Sequence, residues 1–159
     1  MDLATKVLSL LKLRVGEFGQ HPITRRVDKY THSLQAAQLA WDQTKDERTT
    51  VMALVHDVFG GFGSLDHGDS ISWVMSSYLP QPMIGALHYH EKMLLGEWHG
   101  PAHSLVDWVK DRTSKEEFSM LLWFAARVDL KAFDPTMETE SIDFFIPMVY
   151  NVFSRKDYP

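Results

Sequence analysis

Tyr30-Thr31-His32-Ser33-Leu34-Gln35-Ala36-Ala37 sets a histidine in a run of helix formers, and Ala53-Leu54-Val55-His56-Asp57 closes a second apolar run with a His-Asp pair. Ala, Leu and Gln all favour helix. Both histidines follow apolar residues, so both are expected to point into a core. Two imidazoles and a carboxylate in one buried place make a metal site, because those ligand types suit zinc, iron and manganese. His32 and His56 are 24 residues apart, the reach of a helical hairpin. A hairpin built on these stretches makes the expected fold all-α.

The flanking segments agree. Helices are predicted over about 28–43 and 47–58, the second capped by Asp46, and over 2–14 with Asp2 as N-cap. Gly16, Gly19 and Pro22 break the first helix, and 15–27 is a loop carrying His21, Arg25 and Arg26. Phe59-Gly60-Gly61-Phe62-Gly63-Ser64 reads as a tight connection, since the Gly-Lys-Ser/Thr of a phosphate loop is absent. Further helices are predicted over 67–78, 82–95 (ending near Gly96) and 105–111, the last capped by Ser104, with 96–103 as loop. Ser114-Lys115-Glu116-Glu117 is a capping box opening a very apolar helix through Phe118–Val128. Asp134-Pro135 breaks the chain, and a last helix over 139–153 is expected to kink or restart at Pro147. No alternating strand pattern, repeat or linker interrupts this, so one domain over 1–159 is expected, with a metal-binding core at about 28–131.

Composition removes several classes. With 159 residues, 45% hydrophobic and 23% charged, the chain supports a real core. A net charge of −5 argues against general nucleic-acid binding. The absence of cysteine excludes disulfides, thiolate metal sites and a cysteine nucleophile, and fits the cytoplasm. Lysines interrupt the apolar start and no small-residue cleavage site follows, so no signal peptide is expected. No run approaches the roughly 18 apolar residues of a membrane span.

Eight histidines call for an accounting. The site candidates in chain order are His32, His56, Asp57, His67, His88 or His90, and Asp129. His67 lies 11 residues past His56, at a predicted helix start that can return beside it. His90 follows at 23, in the middle of the next helix. His88 and His90 stand about 200° apart on a helix, so both cannot face one metal. Asp129 ends the most apolar helix, where burial is costly unless the carboxylate is paired or metal-bound. A carboxylate at a helix C-terminus also opposes the dipole, which disfavours a purely structural role for Asp57 and Asp129. One histidine on an apolar face is more often a hydrogen-bonded core residue than a ligand. Four histidines and two aspartates in this order are a different matter: six ligands suffice for two metal ions sharing a carboxylate.

The order His…His-Asp…His…His…Asp on helices resembles the HD-domain superfamily. Val27-Asp28-Lys29-Tyr30-Thr31-His32-Ser33-Leu34-Gln35 looks like the opening of a bacterial group of predicted HD phosphohydrolases. Ala132-Phe133-Asp134-Pro135 and Phe145-Ile146-Pro147-Met148-Val149 look like its C-terminal end. That group is similar to PhnZ-type diiron oxygenases and, more distantly, to myo-inositol oxygenase. The likeness spans about residues 25–155. It implies a single HD-domain helical bundle in which His32, His56 and Asp129 hold one metal, His67 and His90 the second, and Asp57 bridges them. The ions implied are iron, with manganese or another divalent metal as the alternative. Spacing from His67 favours His90 as the fourth histidine, whereas a likeness of Leu87-His88 and Lys92 to the PhnZ pattern favours His88; with His90 as ligand, His88 and Lys92 are expected as substrate contacts, and Arg25, Arg26 and Lys131 are further cations for an anionic group. Where many relatives carry Ile-Gly and then His, Lys or Asp, this chain has Val58-Phe59-Gly60, so a phosphate-contacting side chain is expected to be missing.

The resulting expectation is a diiron oxygenase using dioxygen on a small, anionic, hydroxylated, organophosphonate-like substrate. The alternative is a metal-dependent phosphohydrolase acting on a nucleotide or phosphomonoester, since two metals can activate water and clamp a phosphate. A metal-stabilised binding module ranks third, because it would need no open coordination position. No nucleic-acid or membrane partner is expected.

Overall fold

The computed structural model describes residues 1–60, 67–98 and 103–158, with backbone alone for 94–98 and 103–104. The fold is all-α. Among the described residues there are eight helices: α1 Leu3–Lys12, α2 Lys29–Thr44, α3 Glu47–Val55, α4 His67–Met75, α5 Gln81–Trp98, α6 His103–Lys110, α7 Lys115–Arg127 and α8 Ile142–Phe153. A 3-10 turn, Asp129–Lys131, follows α7, and one isolated bridge joins Phe18 and Asp28.

Three helix starts use the same device. Asp2, Asp28 and Asp46 each accept the main-chain N–H of a threonine three residues on, at 2.7–2.8 Å. This satisfies a donor with no partner inside the helix, typically stabilising by about 1 kcal/mol. Ser114 and Glu117 form the expected reciprocal box at α7: Glu117 N–H donates to Ser114 Oγ at 3.1 Å and Ser114 N–H to Glu117 Oε2 at 2.7 Å.

The helices pack as neighbours, α2 with α3, α4 with α5, α5 with α6 and α7, and α8 with α3 and α1. Ala36, Ala37 and Ala40 line the buried face of α2, where small side chains let α3 approach closely. One apolar cluster runs through all eight helices, with Val109 as the contribution of α6. At Gly68 the α4 backbone touches α5 directly: a Cβ there would stand 2.6 Å from the His88 carbonyl oxygen and 2.9 Å from that of Leu87.

Several boundaries differ from expectation. α3 stops at Val55, because His56 caps it and the chain turns at once, so the His-Asp pair sits in the turn. α4 stops at Met75, and α5 passes Gly96 to reach Trp98. α7 ends at Arg127: Val128 leaves helical geometry at φ −121°, ψ −72°, and Asp129 opens the 3-10 turn. α8 runs through Pro147 as one helix. α6 starts at His103, so Ser104 lies within the helix and does not cap it. Glycines 61 and 63 and residues 99–102 of the predicted 96–103 loop lie outside what is described. No helix among the described residues is long and apolar enough to cross a membrane.

Candidate metal centre

Six of the predicted site residues come together between the α2–α3 pair, the α4–α5 pair and the end of α7: His32, His56, Asp57, His67, His90 and Asp129. They form two adjoining groups. In the first, His32 Nε2 lies 3.0 Å from His56 Nε2 and 3.2 Å from Asp129 Oδ1, with His56 Nε2 3.5 Å from the same oxygen. In the second, His67 Nε2 lies 3.0 Å from His90 Nε2, and both face Asp57 Oδ1, at 2.8 and 3.2 Å. The other oxygen of Asp57 turns to the first group, 3.6 Å from both His32 Nε2 and His56 Nε2. One carboxylate thus offers an oxygen to each group. Neighbouring donors around an ion with bonds near 2.1 Å stand about 3.0 Å apart at right angles, which is the spacing seen.

Local contacts dictate which nitrogen faces inward. A carbonyl oxygen only accepts, so a ring nitrogen against one must carry the hydrogen. His56 Nδ1–H donates to the Ala53 carbonyl at 2.7 Å and His90 Nδ1–H to Leu87 at 2.6 Å, each one turn back on its own helix. His32 Nδ1–H donates to the Ala132 carbonyl at 2.8 Å. In the neutral rings Nε2 is then a bare lone pair, and two bare lone pairs 3.0 Å apart repel. A positive charge must sit among them.

The carboxylates say the same. Asp129 is fully buried, and neither of its oxygens has a hydrogen-bond partner. His32 Nε2 is near one of them, but not in hydrogen-bonding geometry. An unsatisfied buried carboxylate is among the costliest groups in a protein interior. Burial pulls the His56 pKa down, yet the charges of Asp57 and Asp129 outweigh it and raise it to about 9. His67 is likewise opposed by burial and raised to about 11 by its bonds to Asp57 and Glu91. Burial alone would raise the Asp57 and Asp129 pKa values; the charge of His56 and the surrounding imidazole contacts hold both below the ordinary range. The donor set therefore fits cations: buried His/Asp groups lie here with the spacing to hold a metal ion.

The two stretches read as sequence motifs, around 28–35 and 132–135, meet in space. Gln35 grips the backbone of Asp134 twice, donating to its carbonyl at 2.5 Å and accepting its N–H at 3.1 Å. Phe133 stacks on His32 with ring centroids 4.1 Å apart. Together with the His32–Ala132 bond, these fix the turn that carries Asp129. Phe124, fully buried, stands edge-on to His56 and His90 and closes the apolar wall.

Two predicted contacts lie elsewhere. His88 pairs with Asp69 at 3.0 Å and lines a groove of about 300 Å³ with Gln81, Tyr89, Arg112 and Glu117. It sits about 200° round α5 from His90, as does Lys92, whose ammonium is 6.0 Å from the Tyr89 ring. Arg26 and Lys131 line a separate cavity of about 340 Å³, behind Phe133. The structure thus separates His88 and Lys92 from the cluster.

Other residues border the site that the sequence did not single out. Lys29 Nζ donates to the Gly60 carbonyl at 2.7 Å and pairs with Glu17 at 3.2 Å. Glu17 also pairs with Arg14 at 2.7 Å, and Arg14 donates to the Val58 carbonyl at 3.2 Å. Two cations joined by a carboxylate thus hold the turn after Asp57. A Cβ on Gly60 would stand 3.6 Å from Lys29 Nζ and 3.7 Å from His67 Cγ, so an α2 ammonium stands close to both the turn and His67. Glu91 accepts His67 Nδ1–H at 3.1 Å and Gly68 N–H at 3.2 Å. Its only sequence signal was a carboxylate directly after His90. The cluster opens to solvent at Asp57 and His67, whose side chains are 21% and 13% exposed. No protein-family model matches the chain, and no curated protein matches it.

Proposed function

We propose that the protein is a two-metal enzyme of the HD-domain type, with iron as its metal and a small, anionic, hydroxylated molecule as its substrate, which it oxidises with dioxygen. One observation carries this reading. Each group presents two imidazoles and one carboxylate: His32, His56 and Asp129 in one, His67, His90 and Asp57 in the other. Two histidines and one carboxylate with positions left open is the ligand set of non-heme iron oxygenases, whereas magnesium and manganese favour oxygen-rich sites. When bound, the ions supply Lewis acidity and the electrons that dioxygen chemistry requires.

The chain's own groups do the rest. The main-chain carbonyls of Ala53, Leu87 and Ala132 keep three imidazole protons on Nδ1 and so hold Nε2 ready as a donor. Phe124 and Phe133 keep water from the buried side. Substrate approaches at the exposed edge of Asp57 and His67, beside the Lys29 ammonium, which suits an anionic group there.

That lysine favours a second reading. A cation beside a two-metal site also suits a phosphate ester, so a phosphohydrolase is the competing activity. The test uses chain purified without air, loaded with iron and partly reduced. Oxygen uptake is followed with hydroxy-phosphonates and polyols, and phosphate release with nucleotides and phosphomonoesters under manganese, cobalt or iron. Substrate-dependent oxygen uptake is the expected result. Phosphate release without oxygen as the dominant activity would replace the oxygenase by the hydrolase.

A further inference from the structure

Of the four cluster histidines, His67 alone has its Nδ1 against a carboxylate, that of Glu91; the other three face main-chain carbonyls. The two groups also differ in charge. The first has Asp129 to itself and a share of Asp57. Among the described residues, the second has two imidazoles and only its share of Asp57. A dication there meets less than one full negative charge among these ligands.

Glu91 stands where that deficit lies. It is 6% exposed, deep enough that a carboxylate needs strong partners. Its partners are the His67 ring N–H and the Gly68 main-chain N–H, both neutral donors when the ring is neutral. A cation on the far side of the His67 ring polarises the N–H toward Glu91 and offsets the buried charge. Carboxylates behind metal-bound histidines make the imidazole a better donor, and their loss typically costs about 10–100-fold in metal affinity.

We propose that Glu91 is a positioning and charge-balancing residue that lets the His67–His90–Asp57 position hold its metal ion. This rests on the two-metal reading above. The neutral, similarly sized Glu91→Gln and Glu91→Met variants test it, because Met also avoids placing an amide against the Gly68 N–H. Metal-free wild type and both variants are titrated with zinc by calorimetry and with cobalt by absorption, and the metal-free proteins are melted to check folding. Wild type should take up two ions. Whichever variant folds should bind the first ion as wild type does and the second about 10–100-fold more weakly. An unchanged second affinity, or equal weakening of both ions, overturns the role of Glu91. Wild type binding fewer than two ions would instead remove the two-metal reading itself.

Discussion

Loading the metal-free chain should release protons, and the number is set by the cluster. His56 holds its proton to about pH 9 and His67 to about pH 11. In both rings Nδ1 is already committed, to the Ala53 carbonyl and to Glu91, so the extra proton sits on Nε2, facing the cluster. An incoming ion must displace it. At pH 7 that displacement costs about 3 kcal/mol for His56 and about 5 kcal/mol for His67, at 1.36 kcal/mol per pKa unit. Overall affinity for two ions should therefore rise about a hundredfold per pH unit between 7 and 9, and about two protons should leave per chain at pH 7. Zinc titration by calorimetry in buffers of different ionisation enthalpy reads this directly, because the slope of apparent enthalpy against buffer enthalpy is the proton count. A slope near zero would refute the reasoning, since it would mean that the histidines were already neutral and that nothing positive had been holding the cluster together.

Other outcomes follow from the same geometry. The metal-free chain should melt highest between about pH 4 and 6.5: the raised His56 pKa stabilises below its ordinary 6.5 and is lost as pH rises through about 9, while the lowered aspartates stabilise above 3.8 and are lost on acidification. Calorimetric melts across pH, with and without zinc, check this, and zinc should move the optimum upward. Asp57→Asn should lose both ions, because Asn cannot give an anionic oxygen to each group; two ions per chain by elemental analysis would sink the bridging role. His90→Ala should empty one position while His88→Ala leaves metal content intact, and the reverse would exchange the two residues. Gly68→Ala should cost about 1–3 kcal/mol and lower the melting temperature by several degrees, since its Cβ would meet backbone rather than a movable side chain.

Much of this was legible before the fold was known. Aspartate caps and the Ser114 box are local, three-residue patterns, and helix starts were located well by them. The six cluster residues stood out because histidines and aspartates at helical spacing on apolar faces are costly to bury unless a charge or a metal meets them. The phase of α5 separated His90 from His88. Helix ends were harder: α3 and α7 stop early because His56 and Val128 obey the site, not helix propensity. Lys29 and Glu91 stayed hidden for a different reason. Each acts on a residue far along the chain, Gly60 and His67, and a lysine or glutamate on a helix carries no mark of which distant group it will meet.

Chain order within the cluster has a consequence for a polypeptide still being made. Asp57, His67 and His90 all lie in the first 90 residues, whereas Asp129 and the Ala132 carbonyl that aligns His32 come last. Domains generally fold as units. A growing chain thus carries Asp57, His67 and His90 well before the residues that complete the other group. Both groups wait on the same late event, because α7 packs on α5 and the turn after it binds α2 through the carbonyls of Ala132 and Asp134.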